Sequence, residues 1–391
     1  MRFITTFLIT LLACLISGCD KTSATNSGQK KTSYVTAISI SNDGKLILSA
    51  HAKNSLVIWD LQNRKKDTLS TKSNIFSPYF INNKNDYMWQ DTNNVVHINN
   101  SNHKPLKEFK HFPTYGHVIT PDLKSYLSIN DKYGIYHSYG ENLKQIKTEG
   151  GSFLGFGKLL NIMFSPSYKY FLTSGFTASS DKLYSIDSET KLKFKNSVGV
   201  NLWDHETGKL EQKILGNRSK TFATFSPDGQ YVVSGDENGI VNVWNINNII
   251  KHKLASIHHG RDISNGKDFS HLKGDDFAKA VFDKTGLIAT PNDFTGGRTL
   301  SIKFISKQYY LRIFHNEHHI ALYHIDNDMP LKYFELGDAP FPSVKEYYRN
   351  VSIDTAPEAG ILVTGQHRGS GINVYKFDKE KLTLERIWVT Q

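Results

Sequence analysis

The sequence predicts an all-β chain that uses one short unit over and over. Strand-like runs rich in Val, Ile, Tyr and Phe recur about every ten residues, separated by Asn, Asp, Gly and Ser. Long helical periodicity is absent beyond the N-terminus. One stretch, 221–247 (TFATFSPDGQYVVSGDENGIVNVWNIN), shows the unit whole. Thr221 to Phe225 is its first strand and leads into Ser226-Pro227-Asp228-Gly229. Pro fixes φ at the second turn position and Gly accepts positive φ, so the chain reverses there. Tyr231 to Ser234 is the second strand, and Asp236 to Gly239 turns again. Ile240, Val241, Val243 and Trp244 make the third. A sheet of three or four strands leaves too much apolar surface wet to stand alone, so it needs neighbours built the same way.

The chain supplies them. Residues 35–61 read VTAISISNDGKLILSAHAKNSLVIWDL, with Ser41-Asn42-Asp43-Gly44 at the first turn and Trp59-Asp60 closing the third strand. Phe164-Ser165-Pro166-Ser167 repeats the turn, and Val200 to Asp204 (VNLWD) repeats the closing strand. This pattern resembles the WD40 repeat, and the resemblance implies a single β-propeller, 34–391, of seven four-stranded blades. It also implies a hydrogen-bonded set within a blade: Trp, Ser or Thr, a His before the first strand and an Asp before the third. Trp244 and Ser234 match that set, whereas Asn238 stands near the Asp position and Gly216-Asn217 near the Gly-His position. In the first unit Lys53 falls near the Asp position. Asp204 to Lys209 (DHETGK) resembles the turn of quinoprotein-type propeller repeats as well.

Seven units can be counted. The first three span 35–69, 74–109 and 116–148. The fourth begins near Leu160 and carries an insertion, Phe176 to Ser197, in which 183–186 and 192–194 suggest an extra hairpin. The fifth is the stretch at 221–247, followed by a polar loop from Ile257 to Asp276. The sixth, 277–336, holds more strand-like runs than one blade needs. The seventh, 350–391, ends on an outer strand, so the ring is expected to close without strand exchange between the termini, although a strand near 29–33 is compatible with that blade.

The N-terminus carries a different signal. Arg2 gives a positive start, Phe3 to Leu15 is apolar apart from threonines, and Ile16-Ser17-Gly18-Cys19 follows. The run is too short to span a membrane comfortably and reads as a signal-peptide core, 1–18. Its ending resembles the bacterial lipobox, which implies cleavage before Cys19 and lipid attachment at that sulfur. Asp20 resembles the signal for retention in the inner membrane, so the expected place is the bacterial cell envelope, facing the periplasm. The two cysteines, Cys14 and Cys19, fit: one leaves with the peptide and the other carries lipid, which excludes cysteine catalysis and Cys-ligated zinc in the folded part. Residues 19–33 are polar and small, a lipidated tether whose fourteen or so residues after the cysteine span roughly 20 Å as a flexible coil.

The formal charge is +10, and loss of Arg2 with the signal peptide makes it +9. Outside the cytoplasm this suits anionic surfaces or acidic partners and argues against nucleic acid; coding bias toward Lys and Asn explains it equally well. Lys30-Lys31 and Arg64-Lys65-Lys66 are the tight clusters.

No catalytic, cofactor-binding or metal site is expected. The His315 to His319 run with His324 has metal-like residue types, yet alternation puts His319 and His324 on opposite strand faces. His258, His259, Asp262, His271, Asp275 and Asp276 form a second polar cluster. Gly151 to Gly157 is Gly-rich without a following helix, a poor phosphate cradle. The leading expectation is therefore an envelope scaffold that binds protein partners, with 176–197 and 257–276 as contact regions. An enzyme with its site at the central channel, and an envelope ligand sensor, remain alternatives.

Overall fold

The structure, a computed structural model, describes residues 34–390 except 53, 72, 82–84, 112–113, 131–134, 141–143, 147–157, 177–199, 215–220, 237–240, 248–255, 260–298, 315–318, 328–329, 337–351 and 366–370. The described residues belong to one compact unit, Ser33–Gln391. Cys19, the signal-peptide and tether segments and the possible strand at 29–33 lie outside them.

The strands form antiparallel sheets of four consecutive members. The first sheet is β1 (Val35–Ile40), β2 (Leu46–His51), β3 (Ser55–Asp60) and β4 (Lys65–Ser70). The second is β5 (Ile75–Phe80), β6 (Tyr87–Asp91), β7 (Val95–Asn99) and β8 (Pro105–Lys110), and the third is β9 (Thr114–Ile119), β10 (Ser125–Asn130), β11 (Ile135–Tyr139) and β12 (Lys144–Ile146). The fourth joins β13 (Lys158–Phe164) and β14 (Tyr170–Phe176) to β15 (Val200–Asp204) and β16 (Leu210–Ile214). The fifth holds β17 (Thr221–Phe225), β18 (Tyr231–Asp236), β19 (Val241–Asn245) and β20 (Ser256–His259). The sixth holds β21 (Thr299–Phe304), β22 (Tyr309–Phe314), β23 (His319–His324) and β24 (Lys332–Glu335). The seventh holds β25 (Ile353–Ala356), β26 (Ile361–Gly365), β27 (Ile372–Asp378) and β28 (Thr383–Val389). The first strands touch in succession, β1 to β5, β9, β13, β17, β21 and β25, and β25 touches β1. The sheets are thus seven blades of a closed propeller, with first strands inside and fourth strands such as β4 and β8 exposed at the rim.

Packing explains why the middle strands read as apolar runs. Each has a neighbouring blade on both faces, so both parities must be apolar. In β2, Ile47 joins the core shared with blade seven, whereas Leu48 joins the core shared with blade two. Every junction between neighbouring blades has such a core. At the junction of blades three and four it is Val118, Leu127, Ile129 and Ile135 against Ile162, Phe171 and Trp203.

The first turn of a blade is built by side chains. In blade one Ser41 Oγ accepts the Leu46 N–H at 2.9 Å and donates to Asp43 Oδ1 at 2.7 Å, which also accepts the Lys45 N–H. Ser226 and Asp228 do the same in blade five, and Thr120 and Asp122 in blade three. The residue that closes the turn is left-handed: Gly44 and Gly229 at φ 71°, but Leu123 at 61° and Tyr168 at 58°. Glycine enters that region without strain, whereas Leu and Tyr are held there by the turn and its contacts.

Two expectations change. Residues 257–259 are not loop but part of β20, the rim strand of blade five. Blade six takes its four strands from 299–335, a shorter span than the expected 277–336, of which 277–298 lie outside the described residues. Trp89 of blade two sits on the second strand, opposite His97. Among the described residues the ring closes as expected, without exchange: blade seven takes its four strands from the C-terminal stretch.

Candidate interaction faces and the central channel

Three blades carry the expected Trp to Ser/Thr bond. Trp59 Nε1–H donates to Ser49 Oγ (2.7 Å), Trp203 to Thr173 Oγ1 (2.9 Å) and Trp244 to Ser234 Oγ (3.1 Å). Register accounts for the shared geometry. Each Trp lies opposite the residue two before its acceptor, at Ile47, Phe171 and Val232, so the indole reaches diagonally to the acceptor. In blade one the same Ser49 Oγ lies 2.9 Å from His51 Nε2, so the histidine of the set comes from the second strand rather than from ahead of the first. The departures at Lys53, Gly216-Asn217 and Asn238 lie outside the described residues.

The inner strands are sheet edges, and their backbone groups need partners from the next blade. Ile40 N–H donates to Asp354 Oδ2 (3.0 Å) and Phe80 N–H to Ser39 Oγ (3.3 Å). His117 Nε2–H donates to the Ser77 carbonyl (2.9 Å), and Asn161 Nδ2–H to that of Ala223 (2.7 Å). The Ser77 carbonyl is presented by a bulge in β5, where Ser77 has φ 47°. Lys303 Nζ pairs with Asp354 Oδ1 at 2.9 Å, so this carboxylate ties blades six, seven and one together. These named inner-strand groups are engaged in holding blades, not arranged as a pair of carboxylates around a reacting atom.

Histidines crowd blades two to four. His111 Nε2 lies 2.9 Å from Ser128 Oγ. His205 Nδ1–H donates to the Tyr168 carbonyl (2.5 Å), and its Nε2 lies 2.6 Å from Ser125 Oγ, which His137 Nε2 approaches to 3.4 Å. Burial lowers the pKa of each of these rings. It brings His111 to about 3, with His117 adding a smaller push, and His137 to about 4, with His205 as its next cause. His117 is brought to about 4 against the opposing bond to Ser77. His205 is lowered less, because the Tyr168 carbonyl and the Asp204, Asp122 and Glu206 carboxylates favour its charged form. At neutral pH these four are neutral and structural. The Ser125–His205 contact has the atoms of a nucleophile and base, but Ser125 is fully buried and offers no room for substrate.

Among the described residues no group of three or more His, Cys, Asp or Glu is placed to hold a metal. His319 and His324 are on β23, and His258 and His259 are on β20. The remaining members of both histidine clusters, at 315–318 and 262–276, lie outside the described residues, as do 177–197 and 151–157. None of the described helices is long and apolar enough to cross a membrane. Sequence reading missed the cross-blade histidines. Ser125 and His205 are 80 residues apart, and only the ring brings them together.

Known proteins place the fold. The family model "WD domain, G-beta repeat" matches residues 20–60 and 208–245. The second match starts before the rim strand of blade four and runs through the third strand of blade five, one strand out of step with the structural blade. No curated protein matches the chain. The crystal structure of the β-propeller domain of Cps50 (Swd1) from Myceliophteria thermophila is similar over 88% of this chain and 96% of its own, with a TM-score of 0.61 and 12% identity. At that identity the likeness is one of fold. The chain is a seven-bladed, all-β propeller carrying WD40-type repeats.

Proposed function

We propose that this protein is a lipid-anchored scaffold of the bacterial cell envelope that binds protein partners from the periplasmic side. WD40 propellers generally work as protein-interaction scaffolds, and the observation that carries the reading is how the inner polar groups are used. Asp354, Lys303, His117, Asn161 and Ser39 are each spent on joining blades. A rigid ring that presents turns and rim strands is suited to recognition. The anchor is proposed from the sequence: Ile16-Ser17-Gly18-Cys19 supplies the lipid site and Asp20 favours the inner membrane. Two or three acyl chains hold a protein firmly, whereas one is marginal.

Labelling cells with an alkyne fatty acid tests the anchor. The wild-type chain takes the label and floats with inner-membrane vesicles, and Cys19→Ala abolishes both. Label retained in the variant, or a wild-type chain found unlabelled in the soluble fraction, overturns it. In-cell crosslinking followed by mass spectrometry tests the scaffold.

A further inference from the structure

Most described polar contacts between blades use groups that do not titrate near neutrality. Blades four and five are joined by Asn161 to the Ala223 carbonyl and by the Ala223 N–H to Ser174 Oγ. Blades six and seven are joined by Lys303 with Asp354 and by the Tyr375 hydroxyl to the Leu336 carbonyl. Single histidine contacts bridge blades one and two (His103 to Asp67) and blades two and three (His117 to the Ser77 carbonyl), but blades three and four put two histidines on one buried hydroxyl. Their polar link is Ser125 of β10, held by His205 of blade four from one side and His137 of β11 from the other.

Hydrogen inventory fixes the neutral state of this link. The Tyr168 carbonyl can only accept, so His205 carries its proton on Nδ1 and leaves Nε2 to accept from the Ser125 hydroxyl. The Ser125 oxygen then faces His137 Nε2–H, and His137 Nδ1 is a buried acceptor with no hydrogen-bond partner. A bare acceptor is tolerable. A bare donor carrying positive charge is not.

We propose that Ser125, His137 and His205 form an acid-released latch between blades three and four, closed while both rings are neutral and opened when they take up protons. A proton on His137 places an N–H on Nδ1, where no acceptor stands. A proton on His205 turns Nε2 into a donor to Ser125, so the hydroxyl must turn away. Either His137 then accepts it, by shifting its own hydrogen to the partnerless Nδ1, or the hydroxyl loses its acceptor. Each route leaves one buried donor unsatisfied. A second proton sets two cations with ring centroids 5.5 Å apart. The groups around the link are few. Asp204, Asp122 and Glu206 act on His205, and Asp204 on His137. Phe164 and Tyr139 flank His205, and Phe171 flanks His137. The carboxylates favour the charged rings but sit toward solvent, and burial outweighs them. Opening the seam would uncover Phe171, Trp203 and the aliphatic core they share with blade three.

Hydrogen exchange on the full chain, corrected for the intrinsic effect of pH, tests this at pH 7.5 and 4.5. With His137 titrating at about 4 in the closed seam and 6.5 in the open one, its linkage alone lowers protection of Ser125–Ile129 and Val200–His205 roughly 100-fold. Val232–Ser234 in blade five should change much less. His137→Phe, which fills the same buried space without a titrating group, should remove most of the difference. Uniform loss of protection around the ring, or an unchanged pH response in His137→Phe, overturns the latch. Should that variant not fold, histidine NMR on the wild type decides: His137 or His205 titrating near 6.5 with seam protection intact also overturns it.

Discussion

Replacing Asp354 with Ala should loosen the ring where it closes. Its carboxylate accepts the buried Ile40 N–H at 3.0 Å and the Lys303 ammonium at 2.9 Å. Without it, the named acceptor of the Ile40 N–H is lost, which costs about 1–3 kcal/mol for a buried donor. Lys303 is one-third exposed and water recovers most of its charge, so that ion pair adds only about 0–1 kcal/mol. The total is about 3 kcal/mol. Asp354→Asn keeps an acceptor oxygen for Ile40 but loses the charge, so it should cost about 1 kcal/mol. Urea unfolding of the two variants measures the difference, and hydrogen exchange locates it: protection should fall first in β1 and β25, on the two sides of the closing seam. Among the described residues this junction has no exchanged strand. It relies on the Asp354 bonds, on the Ser352 hydroxyl donating to the Val35 carbonyl, on the Trp59–Trp388 edge contact and on the shared apolar core. An Asp354→Ala chain within about 0.5 kcal/mol of wild type, or one that loosens elsewhere first, would refute the account of closure, since surface changes rarely exceed that size.

Other perturbations follow the same logic. Gly365→Ala would put a Cβ 2.6 Å from Val35 Cγ1 and 2.7 Å from Val35 Cβ, a stiff β-branched neighbour, and should cost about 1–3 kcal/mol by thermal or urea unfolding. Gly235→Ala meets the mobile end of Ile302 instead and should cost less. Thr173→Val keeps shape but strips the acceptor from the buried Trp203 indole, which should lower stability by about 2 kcal/mol and shift Trp203 fluorescence. His117, at the seam of blades two and three, is held neutral: its folded pKa of about 4 lies below the unfolded 6.5, so the native chain binds fewer protons. Its contribution is therefore complete above about 6.5 and fades as pH falls toward 4, by on the order of 3 kcal/mol. Melting temperatures that stay flat from pH 7 to 4.5 would contradict this.

The local part of the fold was legible because it is written locally. Ser226-Pro227-Asp228-Gly229 forms its turn with its own side chains, and Trp244 finds Ser234 within one blade. What could not be read depends on neighbours far away in sequence. Leu123 and Tyr168 take a left-handed conformation usual for glycine, and only their carbonyls' partners, Lys107 and His205, show what the turns present. β20 was read as loop because Ser256-Ile257-His258-His259 is short and polar; its place comes from pairing with β19. The indole of Trp89 stacks on His97 across strands with ring centroids 4.0 Å apart and makes no Ser/Thr bond, a contact that a repeat pattern does not carry. Of the expected site, Cys19 and most of both contact regions lie outside the described residues.

The most direct test of the scaffold reading is in-cell crosslinking of the tagged chain, followed by mass spectrometry of the membrane fraction. The account predicts one or more protein partners recovered reproducibly with the Cys19-bearing chain, crosslinked through the faces or rim of the ring. No protein enriched above an untagged control, at a crosslinking yield that captures known envelope complexes, would contradict it.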